Sequence, residues 1–350
     1  MVCVAAFIIL CLLSVVFGFL SIFRRDIGQK YWQVFKKAWG CVSKKVRLQK
    51  CETNFKDDVK NTILRKIVLK KPHLVQPLSI VIEIVSVFIV IITIWSLVIS
   101  IKAALALWVF GTCNVSQPSQ CTLGAEVCSI DAEEPKNLPE RIGRNFAEWG
   151  EIFSSIPDRL RNWDASQYLS DPTVYYSDSN QPLALDIFDP GCSACLQSYK
   201  NQLSSGFFNQ YRTALMLYPI KLPDGSYKFK NSGLIARYYY AAKLVTQQNQ
   251  LSLKILHRLY TEFDQDYVNF QTVFNTKLSE SQAERLLQAW LKEFGVDREK
   301  LQKITTIAHS QSVTNFLESL DQIVLQKIHV KGIPTLIYNN RKHHGLYRAS

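Results

Sequence analysis

The chain has 350 residues, 47% of them hydrophobic, nine cysteines and a formal net charge of +12. The length allows one or two domains, and the composition is uneven along the chain. The charge resembles that of a nucleic-acid binder until it is located. Residues 24–76 hold 15 Lys/Arg against 4 Asp/Glu, whereas residues 111–350 hold 25 against 24 and are close to neutral. The basicity is therefore local.

Residues 2–23 contain no charge, and residues 78–101 contain only Glu83. Each stretch is long enough to cross a hydrocarbon core of about 30 Å as a helix. A cleaved signal peptide is the alternative for the first, but no basic residue precedes it and Arg24-Arg25 follows at once. We read 1–23 as a first transmembrane helix, 24–76 as a basic cytoplasmic loop, and 77–110 as a second transmembrane helix with an interfacial extension. A short basic loop between two spans lies on the cytoplasmic side. This places the chain in the inner (plasma) membrane with both termini on the periplasmic or extracytoplasmic side. Tyr31, Trp32 and Trp39 suit a loop resting on anionic membrane lipids. Docking of nucleic acid or of a partner is the alternative for the loop; no nucleic acid is expected as a partner.

This topology sorts the cysteines. Cys11 falls in the first span, and Cys41 and Cys51 in the cytosol. Cys3, Cys113, Cys121, Cys128, Cys192 and Cys195 lie on or near the outer side, where disulfides persist. Cys121 with Cys128, and Cys3 with Cys113, are pairings that the spacing allows without deciding them.

Residues 111–139 form a polar linker with three cysteines, and 140–170 an amphipathic helical segment. Its apolar positions Ile142, Phe146, Trp149, Phe153, Ile156, Leu160 and Trp163 alternate spacings of four and three, the helical period. Pro157 is expected to split the segment, opening a second helix. The stripe can pack on the following domain, pair two copies as a homodimer, or lie on the membrane surface. From 171 to 350 the pattern changes. Strands are expected at 173–176, 183–188 and 213–220, and a helix at 195–203. A helical block follows at about 233–327, with a capping box at Ser279-Glu280-Ser281-Gln282. A last strand pair, 335–339 and 344–347, is joined by Asn340-Arg341-Lys342. Strands and helices in this order give an α/β fold with a helical insertion.

The chemistry sits in 183–195, LALDIFDPGCSAC, and 331–338, KGIPTLIY. A buried strand runs into Cys192-Ser193-Ala194-Cys195 at the start of a helix. Only a thiolate attacks a disulfide, and a helix N-terminus favours an anion. Cys192 is thus the attacking thiol and Cys195 the resolving one. Half of a zinc site and two inert cysteines are the competing readings; a zinc site needs two further ligands, for which only His329, His343 and His344 lie near, so no metal is expected. Asp186, an acid within an apolar strand, is expected to point inward with a raised pKa and to carry the proton of Cys195. An edge or solvent-facing Asp186 is the alternative. Asp189-Pro190 and Gly191 shape the turn that presents Cys192. Ile333 and Pro334 begin a strand, where a cis bond would expose the Ile333 backbone to an extended substrate.

The segments FDPGCSAC, the helical block and GIPTLIY resemble the DsbA-like branch of the thioredoxin superfamily over residues 173–350. The branch is suggested by the separation of 139 positions between Cys195 and Pro334, room for a helical domain. The resemblance implies a thioredoxin-like fold, Cys192 as attacking thiol, Cys195 as resolving thiol, Pro334 as the cis-proline and an acid at Asp186. Ser193-Ala194 lacks the histidine that strongly oxidising members carry, which leaves the direction of electron flow open.

The expected activity is a membrane-anchored thiol:disulfide oxidoreductase without cofactors. Its partners are cysteine-containing extracytoplasmic proteins and a membrane or soluble redox partner. A membrane scaffold that binds partners through a thioredoxin-like domain is the alternative. A third reading is an enzyme of the endoplasmic reticulum membrane, with Asn114-Val115-Ser116 as a glycan acceptor.

Overall fold

The computed structural model describes residues 25–47, 75–115, 128–130, 137–177 and 180–348. The chain divides into two compact units, Met1–Ile101 and Lys102–Ser350.

In the first unit, helix α1 (Arg25–Val46) exposes Trp32 and Trp39. The Trp32 ring stacks on Phe35 at 5.6 Å, with the Lys36 ammonium above it. Helix α2 (Val75–Phe110) has 36 residues, almost all apolar. At 1.5 Å per residue it is about 54 Å long, more than a bilayer core. Phe88, Ile92 and Trp95 along it are each about 60% exposed. A core helix of a soluble protein buries such side chains, so α2 is a membrane-span candidate. The hydroxyls of Ser86, Thr93 and Ser100 donate back to the carbonyls of Ile82, Ile89 and Ser96, which satisfies them within the helix. It is the one helix among the described residues long and apolar enough to span. The other expected span, residues 2–23, lies outside the described residues, as do Cys3, Cys11, Cys51 and Cys121.

The second unit is built on a five-stranded mixed sheet. Strand β3 (Leu183–Phe188) and strand β4 (Arg212–Leu217) pair in parallel, from Leu183 opposite Arg212 to Phe188 opposite Leu217. Apart from Asp186 and the Arg212-Thr213 start of β4, both are apolar runs, buried beyond their first residue, as suits central parallel strands. Strand β2 (Val174–Tyr175) lies antiparallel outside β4, while β6 (Thr335–Tyr338) and β7 (Arg341–His344) extend the sheet antiparallel beyond β3. Helix α4 (Ser193–Ser205) makes the crossover from β3 to β4 and stops at Gly206, whose φ of +71° suits a residue without Cβ. This is the thioredoxin-type α/β arrangement that the sequence led us to expect.

Between β4 and β5 (Gly332–Ile333) the chain forms helices α5 (Ser232–Thr246), α6 (Gln250–Thr261), α7 (Glu280–Glu293), α8 (Arg298–Ala308) and α9 (Gln311–Asp321). The capping box is present: Ser279 and Gln282 each bond the other's backbone N–H. Three consecutive tyrosines on α5 are fully buried. Tyr239 and Tyr240 donate to the carbonyls of Leu215 and Leu217, fastening the helical block to β4.

Two local expectations are corrected. Pro157 does not split its segment: α3 (Leu138–Leu160) runs through it. The apolar stripe of that segment packs in part: Phe146 and Leu160 are over 70% exposed and Ile142 and Phe153 over half, whereas Ile156 packs against Ala106, Val109, Phe110 and Val115, and Trp163 is buried in the core. Ile152 joins the Val109 cluster, and Glu148 and Asn145 take the Lys102 ammonium. Finally, the last hairpin turns at Asn339-Asn340, both with positive φ, so the second strand is Arg341–His344. A two-residue turn of this kind matches the strand twist, and asparagine tolerates it.

Candidate functional site

Cys192 caps the N-terminus of α4 with extended backbone angles. The turn before it is held from several sides. Asp189 accepts from the backbone N–H of Gly191 at 2.7 Å through Oδ1 and of Ile220 at 2.6 Å through Oδ2. The carbonyl of Asp189 accepts from the Cys192 N–H and from the Tyr260 hydroxyl. The helical block closes over the turn. Gln271 donates to the carbonyls of Pro190 and Cys192, both at 2.8 Å, and Asn275 donates to the carbonyl of Gly191 at 2.7 Å. A Cβ on Gly191 would stand 2.3 Å from the Phe229 Cβ, so only glycine fits.

Cys192 is disulfide-bonded to Cys128, 64 positions earlier in the chain, with a Cα–Cα distance of 6.2 Å. This corrects the pairing of Cys121 with Cys128 that spacing allowed. Cys113 is also in a disulfide. Cys128 arrives on an extended segment: β1 (Cys128–Ser129) pairs antiparallel with β5, Cys128 opposite Ile333 and Ser129 opposite Gly332. The Ile130 N–H donates to the carbonyl of Lys331 at 3.2 Å. The peptide Ile333–Pro334 is cis, and the Cys192 sulfur lies 3.8 Å from the Ile333 carbonyl oxygen. The structure thus brings Cys192, Ile333 and Pro334 together around a strand that the chain itself supplies.

Cys195 is a free thiol, one turn further along α4 and buried. Burial pushes its pKa well up. A hydrogen bond with the Asp189 backbone opposes this, and the carboxyls of Asp189 and then Asp186 add to the rise. Asp186 is itself buried at the centre of β3. Loss of water raises its pKa to about 7, against the hydrogen bond it accepts from Gln202 at 2.9 Å. Its Oδ1 has no hydrogen-bond partner among the described residues, which makes the charged form costly. Asp189 also rises to about 7 by burial, although Ile220 N–H, Gly191 N–H and the Lys228 ammonium all pull the other way. Two carboxyls that change charge near neutrality therefore face one buried thiol.

No protein-family model matches the chain, and no curated protein does. Among solved structures it is similar to a thioredoxin-like oxidoreductase from Silicibacter pomeroyi DSS-3, at 14% identity over 52% of this chain and 89% of that one, with a TM-score of 0.37. It is also similar to the thiol-disulfide exchange protein alpha-DsbA2 from Wolbachia pipientis, at 13% identity over 59% and 91%, TM-score 0.35. ScsC from Proteus mirabilis matches at 10% identity over 59% and 85%, TM-score 0.36. Likeness at this level assigns no chemistry, which must come from the residues above.

Four contributors escape a reading of sequence alone. Asp189 was assigned only a role in shaping the turn, yet it outweighs Asp186 at Cys195. Its signal is an acid three residues before a helix-capping cysteine. Gln271 and Asn275 have no local signature, because what they hold is 79 to 84 positions away. Cys128 is visible as a cysteine but not as a neighbour of Cys192.

Proposed function

We propose that this chain is a membrane-anchored thiol:disulfide oxidoreductase acting on extracytoplasmic protein disulfides through Cys192 and Cys195. One observation carries the reading. Cys192 is joined to a cysteine on an extended strand that is paired on Gly332–Ile333, while Cys195 stays free. That is the arrangement of an exchange reaction caught between its two steps.

In the first step the Cys192 thiolate, favoured by the amides at the start of α4, attacks a substrate disulfide. One substrate sulfur becomes bonded to Cys192 and the other leaves as a thiolate. The substrate backbone adds to the edge at Ile333, which holds the three sulfurs in register. In the second step Cys195 gives up its proton to the buried carboxyls, Asp189 and Asp186, and attacks the Cys192 sulfur. The Cys192–Cys195 disulfide forms and the substrate leaves reduced. Run backwards, the same steps oxidise a substrate dithiol. No cofactor enters either direction. The reading places the domain on the extracytoplasmic side, with substrate proteins bearing cysteines and a separate redox partner to reset the dithiol.

The test compares the intact chain with Cys192→Ala in insulin reduction and in oxidation of a two-cysteine peptide. Both activities are expected to vanish in the variant. If the variant retains both, the exchange reading fails, and unchanged partner binding would then favour a scaffold. The potential of the Cys192–Cys195 couple sets the direction: about −270 mV belongs to reductases such as thioredoxin and about −120 mV to strong oxidants.

A further inference from the structure

We propose that residues 128–130 are a built-in substrate strand, and that Cys128 is a third redox-active cysteine which closes and opens the exchange site of this same chain. The inference rests on the exchange reading above and identifies what occupies that site first.

Three independent contacts seat the segment. Cys128 is bonded covalently to Cys192. Its backbone and that of Ser129 pair with β5, and the Ile130 N–H continues the pairing onto Lys331. The Ile130 side chain is buried in the same apolar core as Cys192, Cys195 and Ile333, with Cys128 packed against that core. A chance cross-link between two surface thiols needs none of the strand pairing or the apolar anchor. With the segment in place Cys192 has no exposed surface at all, although an exchange catalyst must present its attacking sulfur. The closed form is therefore sealed against protein substrates.

Opening requires no outside oxidant or reductant. The Cys195 thiolate attacks the Cys192 sulfur, the Cys192–Cys195 bond forms, and the Cys128–Cys192 bond breaks. The electron pair leaves on the Cys128 sulfur, which takes up the proton that Cys195 released. One disulfide and one thiol are present before and after, so the step is an isomerisation. Closing is the reverse, with the Cys128 thiol attacking the Cys192–Cys195 disulfide as a substrate thiol would. Because Cys128 is covalently tethered, it competes with substrate as if present at about 1 mM. A substrate thiol must displace it by concentration, by a better strand for the Ile333 edge, or by pulling residues 128–130 away.

The test uses the full chain in detergent. Disulfide mapping under acid quench is expected to find a linked peptide pair containing Cys128 and Cys192, more abundant in Cys195→Ser, which has no thiol to open it. In Cys128→Ser the mapped bond is expected to shift to Cys192–Cys195. With a two-cysteine peptide at about 0.1 mM, a competitor at about 1 mM leaves roughly a tenth of the sites free, so this variant should oxidise the peptide about tenfold faster. Ile130→Ala, which keeps every cysteine, should move in the same direction through a weaker anchor. Absence of the Cys128–Cys192 pair in both the parent chain and Cys195→Ser overturns the proposal, as does an unchanged rate in Cys128→Ser. These outcomes are separate from the exchange reading, which stands or falls with Cys192→Ala.

Discussion

Asp186 shows how much one buried carboxyl can decide. It sits on a strand buried on both faces, with Gln202 donating to one oxygen and nothing among the described residues to the other. In the unfolded chain it is an ordinary acid near 3.8, and in the fold it holds its proton to about 7. The folded state thus binds this proton more tightly. The stability it contributes is complete below about pH 4 and is lost as pH rises through 7, on the order of 4 kcal/mol for a rise of this size. Asp186→Asn keeps an oxygen for Gln202 and carries no charge. Denaturant unfolding should find the variant close to the parent near pH 4 and more stable at pH 8, by up to about 4 kcal/mol. Asp189 acts in the same sense, so part of the slope remains. The same change should slow release of the mixed disulfide about 100-fold, the scale of lost proton transfer, in single-turnover measurements. A difference in stability that does not vary with pH would remove Asp186 from the role of proton carrier.

At the scale of elements, the candidate site is made by two pieces of chain from opposite sides. The β3–α4 turn presents Cys192, and the segment Phe270–Thr272 with the π-helical turn Val273–Lys277 grips that turn from the helical block. Gln271 is the main hold on that turn, one amide donating to two of its carbonyls. Removing it takes that donor from both: the Cys192 carbonyl keeps the Leu196 N–H at 3.1 Å, and the Pro190 carbonyl loses its side-chain donor, at about 1–3 kcal/mol. Gln271→Ala should lower stability by about 1–3 kcal/mol and loosen the Cys192 turn. The measurable sign is a shift of the Cys192–Cys195 potential together with lower stability; lower stability at an unchanged potential would confine Gln271 to packing.

The molecule as a whole carries an apolar helix of 36 residues, and residues 111–350 after it are close to neutral in charge. The exposed Phe88, Ile92 and Trp95 on α2 suit lipid and do not suit water. We expect the chain to stay in the membrane pellet through alkaline carbonate extraction, and its appearance in the soluble fraction would dismiss the anchor. Legibility at this scale follows from range. The long apolar run, the strand LALDIF, the CxxC at a helix start and the capping box are patterns within a few residues, and the sequence displays them directly. The stripe of α3 stayed open between three roles because periodicity finds the apolar positions but not what lies beside them: Ile156 packs, Phe146 is exposed, and Glu148 and Asn145 take the Lys102 ammonium. Strand β7 read as a turn because Arg341, Lys342 and His343 look solvated. In the fold the Lys342 ammonium donates to the Ile328 carbonyl and lies 4.3 Å from the centre of the Trp163 ring.

By itself, the sequence determined an α/β domain with a CxxC where a strand meets a helix, following a long apolar helix. Local backbone preference, apolar periodicity and charge placement are all short-range effects. Only the tertiary structure decided what Cys192 is bonded to, and which acids act on the buried Cys195. Both depend on which distant segments share the edge at Ile333 and the interior behind β3, and sulfur pairing follows distance in space, not spacing along the chain.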